Sequence, residues 1–102
     1  MSFSKSHLFD PADQVTSSYA RVLSHPVRLD IIRKLARTGS TSVEKLSGHY
    51  PLSKSTISQH LEKMRKADIV DYKEVYPYIV YSLNQKNFEK LTSYFRSFFE
   101  TI

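Results

Sequence analysis

At 102 residues with no cysteine, the chain has length for one domain with a modest core and no means of forming disulfides, thiolate metal sites or thiol redox switches. Its formal charge of +5 and isoelectric point near 9.5 favour a polyanionic partner, and nucleic acid is the usual one for a small basic domain. No apolar run approaches the roughly 18 residues of a membrane span and the amino terminus lacks a signal-peptide core, so no membrane partner and a cytoplasmic location are expected.

Residues 1–10 are polar with scattered aromatics and are expected to form a flexible arm ahead of a single domain over 11–102. From Pro11 onward, Val15, Tyr19, Val22 and Leu23 recur at helical spacing and predict a first helix. Pro26, after His25 at the cap position, suits the first residue of a second helix, where its missing N–H is harmless. Leu29, Ile32, Leu35 and Ala36 predict the buried stripe of that helix, and Gly39 is placed to end it in a left-handed cap. Thr41 and Glu44 fit a capping box for a short helix through Val43, Leu46 and Ser47.

Gly48-His49-Tyr50-Pro51 breaks that helix and Ser53 caps the next, giving two short helices around a turn, a helix-turn-helix. In the second of them Ile57, Leu61 and Met64 stand at i, i+4 and i+7 and predict one buried face. After Asp68 the period changes. Ile69–Val75 and Tyr78–Leu83 are rich in β-branched and aromatic residues, so a wing-like hairpin over 69–83 is expected around Tyr76-Pro77. From Gln85 to Ile102 a last helix is predicted. The expected fold is mainly α with a small β-hairpin, a winged helix-turn-helix with dimerisation helices at both ends.

The outer face of the Ser53–Lys66 helix carries Lys54, Ser55, Ser58 and Gln59, then Glu62, Lys63, Arg65 and Lys66. Short donors and acceptors at a helix N-terminus, with cations further along, suit an element that enters the major groove of double-stranded DNA. Gln59 can bridge adenine, Lys54 can contact guanine, and the serines fit either. Thr56 lies between faces and bonds a phosphate or the preceding turn. His60 has two readings: contact with phosphate or base at the groove edge, or a bond across to the neighbouring helix. Lys63, Arg65 and Lys66 can neutralise phosphates, as can Arg28, Arg33, Lys34, Arg37 and Lys45, and a minority of them is expected to do so.

Phe88, Leu91, Phe95, Phe98 and Phe99 are too many large apolar groups for one terminal helix to leave in water. They either cap the monomer core or form a two-fold interface with the first helix, where Val15 and Tyr19 would meet them. The second reading is preferred, because a homodimer presents two recognition helices to successive major grooves about 34–36 Å apart. His7, His25 and His49 with Asp10, Asp13 and Asp30 show no paired-ligand spacing, so no metal site is expected. No thiol, glycine-rich phosphate loop or serine in a histidine/acid setting is present, so neither a catalytic centre nor a cofactor is expected.

Leu23-Ser24-His25-Pro26-Val27-Arg28-Leu29-Asp30-Ile31-Ile32 resembles the opening leucine-x-x-proline-x-arginine-leucine segment of the ArsR family of winged-helix repressors. Leu52-Ser53-Lys54-Ser55-Thr56-Ile57-Ser58-Gln59-His60-Leu61 resembles that family's recognition-helix signature, and Tyr81-Ser82-Leu83 the end of its wing. The resemblance spans roughly 15–84. It implies a homodimer that binds an imperfect inverted repeat in promoter DNA, represses transcription, and releases DNA when an inducer binds, often a metal ion. The chain departs from the family in three places: it has no cysteine motif, no histidine in the last helix, and no arginine-x-glycine-arginine wing tip. The resemblance therefore carries no metal site and leaves Lys73 as the cation near the wing tip, with any inducer an unidentified small molecule. The alternative function is a winged-helix module for protein–protein contact, which a cationic and polar helix-turn-helix surface suits less well than an apolar one.

Overall fold

The computed structural model describes residues 8–102, and the expected arm falls mostly on residues 1–7, outside the described part. The element order is α1 (Pro11–Val22), α2 (Pro26–Thr38), β1 (Thr41–Ser42), α3 (Val43–Ser47), α4 (Lys54–Lys66), β2 (Val70–Val75), β3 (Tyr78–Leu83) and α5 (Gln85–Glu100). The three strands form one antiparallel sheet in the order β1-β3-β2. This is the expected mainly helical winged helix-turn-helix, with one strand more than the sequence suggested.

Most helix starts follow from local chemistry. Asp10 accepts from the N–H of Ala12 at 2.7 Å and caps α1. Pro26 opens α2, and Gly39 ends it at φ 85° with its N–H donating to the Leu35 carbonyl at 2.8 Å. Ser53 Oγ accepts from the N–H of Thr56 at 3.1 Å at the head of α4, and Asn84 Oδ1 accepts from Asn87 at the head of α5. The end of α4 is closed by Asp68 at φ 59°: its N–H donates to the Arg65 carbonyl and the Ile69 N–H to that of Met64. That pair of bonds is a Schellman motif with aspartate where glycine is usual.

Two sequence expectations are corrected. The cap of α3 is Ser42, whose Oγ accepts from Lys45 at 3.3 Å: pairing of β1 with β3 runs through Ser42, so the helix starts only at Val43 and Thr41 lies one residue too early to cap it. In α2 the buried stripe is Arg28, Ile31, Ile32 and Leu35, while Leu29 and Ala36 are exposed. The helix is turned so that the i, i+3, i+4, i+7 row starting at Arg28 faces α4 and the sheet.

The core sits between α2, α3, α4 and the sheet. Ile31, Leu35, Leu46, Ile57, Leu61, Met64, Ile69 and Val70 are each less than 2% exposed. Ile57, Leu61 and Met64 put one face of α4 wholly inside, each contributing about 1.5–3 kcal/mol of transfer free energy before the entropy of ordering is counted. On the far side α1 lies along α5, with Tyr19 and Tyr94 in ring contact at 6.2 Å. Leu91 is buried in the monomer, and Tyr19, Phe88 and Phe95 pack against the same core. Phe98, Phe99 and Ile102 remain exposed beyond it.

Candidate nucleic-acid interface

With Ile57, Leu61 and Met64 buried, the 3.6-residue period fixes what α4 presents outward. Lys54, Ser55, Gln59, Lys63 and Lys66 are exposed, and Ser58 is half-buried beside them. The expected reading face is thus one continuous surface on a single rigid helix. The Thr56 hydroxyl lies 3.0 Å from Ser53 Oγ, within the cap of α4. Lys73 is exposed on β2 opposite Val80, below a wing tip of Val75, Tyr76 and Tyr78 in which Tyr76 is 96% exposed.

His60 faces inward. Its Nδ1 accepts from Arg28 Nε at 2.9 Å, and Arg28 Nη1 donates to the Val22 carbonyl at 3.0 Å. Arg28, only 5% exposed, therefore ties the end of α1 and the first turn of α2 to the middle of α4. An acceptor at Nδ1 means a neutral ring carrying its proton on Nε2. Burial pushes the His60 pKa below its ordinary value, and the charges of Arg28, His25 and Lys63 push it further the same way. The His25 ring stands edge-on to His60 at 5.3 Å.

The turn of the helix-turn-helix is pinned separately. Tyr50 donates its hydroxyl to Asp30 Oδ2 on α2, and Lys34 lies 3.2 Å from the same carboxylate oxygen. The bonds from Tyr50 and Lys34 hold the Asp30 carboxyl below the usual range, while burial and the same carboxylate push the Tyr50 phenol up. Nothing in the sequence spacing announces this pair, because the two residues are joined only by the fold.

The candidate phosphate contacts divide clearly. Arg28 is buried; Arg33 and Lys34 lie beside Asp30; Arg65 donates through Nε to Glu62 Oε2 at 2.9 Å and lies 5.4 Å from the Tyr72 ring centre. Arg37, Lys45, Lys63 and Lys66 are exposed with no ion pair among the described residues. Among the described residues no group of three His, Asp or Glu side chains is placed to hold a metal ion, and His7 lies outside them. No helix of the described residues is long and apolar enough to cross a membrane.

Comparison with known proteins agrees with this geometry. Residues 25–72, from the cap of α2 into the wing, match the family model described as bacterial regulatory protein, arsR family. The HTH-type transcriptional regulator YgaV of Escherichia coli (strain K12) is 35% identical over 66 residues, covering 65% of this chain and 67% of that protein. A solved structure described as a possible transcriptional regulator for arsenical resistance is 31% identical and superposes with a TM-score of 0.72 over 76% of this chain and 80% of its own. Reduced HlyU from Vibrio cholerae N16961 is 27% identical with a TM-score of 0.64, over 70% of this chain and 74% of its own. A helix with a polar outer face, seated on a helix-turn-helix beside a β-wing, in a sequence this close to known regulators, makes the chain a DNA-binding transcriptional regulator of the ArsR family.

Proposed function

We propose that two copies of this chain form a repressor that reads an inverted repeat in promoter DNA. In this reading α4 enters the major groove, with Lys54, Ser55, Ser58 and Gln59 at base edges and Thr56, Lys63 and Lys66 towards phosphates. His60 acts from behind the helix, holding its angle through Arg28. The wing lies along the backbone with Lys73 as its cation. The observation that carries the reading is the division of α4 into a fully buried apolar face and a continuous exposed face of lysine, serine and glutamine.

Dimerisation is supported by the far end of the molecule. Phe95, Phe98 and Phe99 on α5 and Ala20 on α1 line an almost wholly apolar groove, with Phe99 64% and Ile102 87% exposed. Side chains of that size left in water at the end of a helix are well suited to a second copy. Leu91, Phe88 and Tyr19 are already used in the core, and half-buried Val15 lies on the same α1 row as Tyr19, so the seam runs mainly through Phe98 and Phe99 with Phe95 and Val15 at its edge.

The test is selection from a random duplex library by the purified protein at two salt concentrations, read by sequencing. Enrichment of an inverted repeat with half-sites about one helical turn apart is the expected result. Binding with no enriched sequence, lost at the higher salt, would reduce the proposal to a non-specific basic surface. No binding at either salt would favour a winged helix that docks protein.

A further inference from the structure

One cluster of basic side chains reaches beyond the base-reading residues of α4. Arg21 and His25 around the turn after α1, Arg28 on the first turn of α2, and Lys63 and Lys66 on α4 surround a cleft of about 320 Å³. None of the five makes an ion pair among the described residues, where every such pair involves Asp30 or Glu62. Arg28 is the informative member. Its Nε donates to His60 and its Nη1 to the Val22 carbonyl, and no hydrogen bond from Nη2 is formed among the described residues. Arg28, 5% exposed as a residue, thus lines the cleft with a guanidinium whose orientation is fixed by two bonds. Uncompensated charges gathered around a concave space repel one another, and an anion there removes that repulsion.

We propose that this cleft is a phosphate-binding site, in which Arg28 Nη2 and the ammonium groups of Lys63 and Lys66, helped by Arg21, hold one phosphate group. Guanidinium donors with a fixed orientation beside mobile ammonium groups match the several oxygens of a phosphate better than a single carboxylate. The cleft has room for a substituent on that phosphate. Two sources share this chemistry: a small phosphorylated molecule and the nucleic-acid backbone, since Lys63 and Lys66 stand one and two turns beyond Gln59 on α4. His60 and His25 lie against the same cations, so an anion in the cleft changes the field at both rings. The site shares Lys63 and Lys66 with the exposed face of α4 but none of the base-edge residues Lys54, Ser55, Ser58 and Gln59, and its phosphate binding is tested without DNA.

The experiment is an NMR titration of the imidazole resonances of the DNA-free protein with inorganic phosphate, with ionic strength held constant by chloride at fixed pH. His25 and His60 are expected to shift together along one saturable curve, while His49, outside the cleft, stays still. The double variant Arg21→Ala/Lys66→Ala, altered at two exposed positions and checked for folding by circular dichroism, is expected to bind about tenfold more weakly. Repeating the titration with duplex DNA present separates the sources. Displacement of phosphate by the duplex assigns the site to the nucleic-acid backbone; simultaneous binding assigns it to a small phosphorylated ligand. Shifts that stay linear without saturation, or a double variant that titrates like the parent, would overturn the proposal. A protein that fails to bind any duplex but gives the saturable curve would keep this site while losing the operator reading.

Discussion

Arg28 and His60 are the residues at which a short sequence motif turns into three-dimensional control. Arg28 Nε donates to a neutral His60, and protonating that ring at Nδ1 replaces an acceptor with a second donor facing a cation. Because the folded His60 pKa is depressed below its ordinary value near 6.5, the folded state binds fewer protons than the unfolded chain as pH falls through that value. Its contribution to stability is thus present above about pH 6.5 and lost progressively on acidification. The Asp30 and Glu62 carboxyls are shifted downward, so their losses come later, below the ordinary carboxylate range. Urea midpoints measured between about pH 7.5 and 5.5 are expected to fall in the parent and to fall less in His60→Asn. Equal slopes in the two proteins would show that this ring does not couple to folding. Gly39 gives a second residue-scale prediction. A Cβ there meets nothing within 4 Å, so the cost of Gly39→Ala is the backbone at φ 85° alone, about 1–2 kcal/mol in denaturant unfolding. An unchanged midpoint would mean that the α2–β1 corner relaxes without cost.

At the scale of the element, α4 divides its labour by face. Its buried residues fix the helix, its exposed polar residues are free to meet another molecule, and its flank is held by Arg28 through His60 and by Arg65 against the Tyr72 ring of β2. Replacing the polar pair with Ser58→Ala/Gln59→Ala removes hydrogen-bonding groups without opening the core. Discrimination between the selected operator and random DNA is expected to fall by about 10-fold or more, at about 1–3 kcal/mol per lost base contact, with the melting temperature nearly unchanged. Retained discrimination would move base reading to Lys54, Ser55 or the wing. Lys66→Ala acts differently. If Lys66 meets a phosphate, the log–log salt slope of binding is expected to decrease by about 0.9 while sequence preference is kept. A slope equal to that of the parent would leave Lys66 as a solvated charge.

For the whole molecule, the two ends do different things. The α2–α4 end carries the polar helix and the cations around it, and the α1–α5 end carries exposed phenylalanines that the monomer does not use. Phe99→Glu places a charge on that second end without touching the core. Sedimentation at micromolar concentration is expected to show a dimer for the parent and a monomer for the variant, with both folded by circular dichroism. Operator affinity is expected to drop with it, since each half-site is then bound alone. A variant that stays dimeric would place the seam elsewhere.

Periodicity and capping chemistry are written locally, and the chain made them readable. Ile57, Leu61 and Met64 announced the buried face of α4, Ser53 its cap, Pro26 the start of α2, and the change to β-branched and aromatic residues after Asp68 the wing. The leucine-x-x-proline-x-arginine-leucine segment and the recognition-helix signature were enough to point to the family. What the sequence could not decide were matters of contact between distant segments. A strand as short as Thr41–Ser42 has no period of its own and exists because β3 pairs with it, which moved the cap of α3 by one residue. Arg28 reads in sequence as one more surface cation. Only the crossing of α2 over α4 buries it against His60, just as only the approach of the turn to α2 joins Tyr50 to Asp30. The aromatic stripe of α5 was legible as unusually apolar, but its division into a core share at Leu91 and an outward share at Phe98 and Phe99 depends on where α1 lies along it. Local free energies select the elements, whereas burial, which is a property of pairs of elements, selects the roles of the residues they carry.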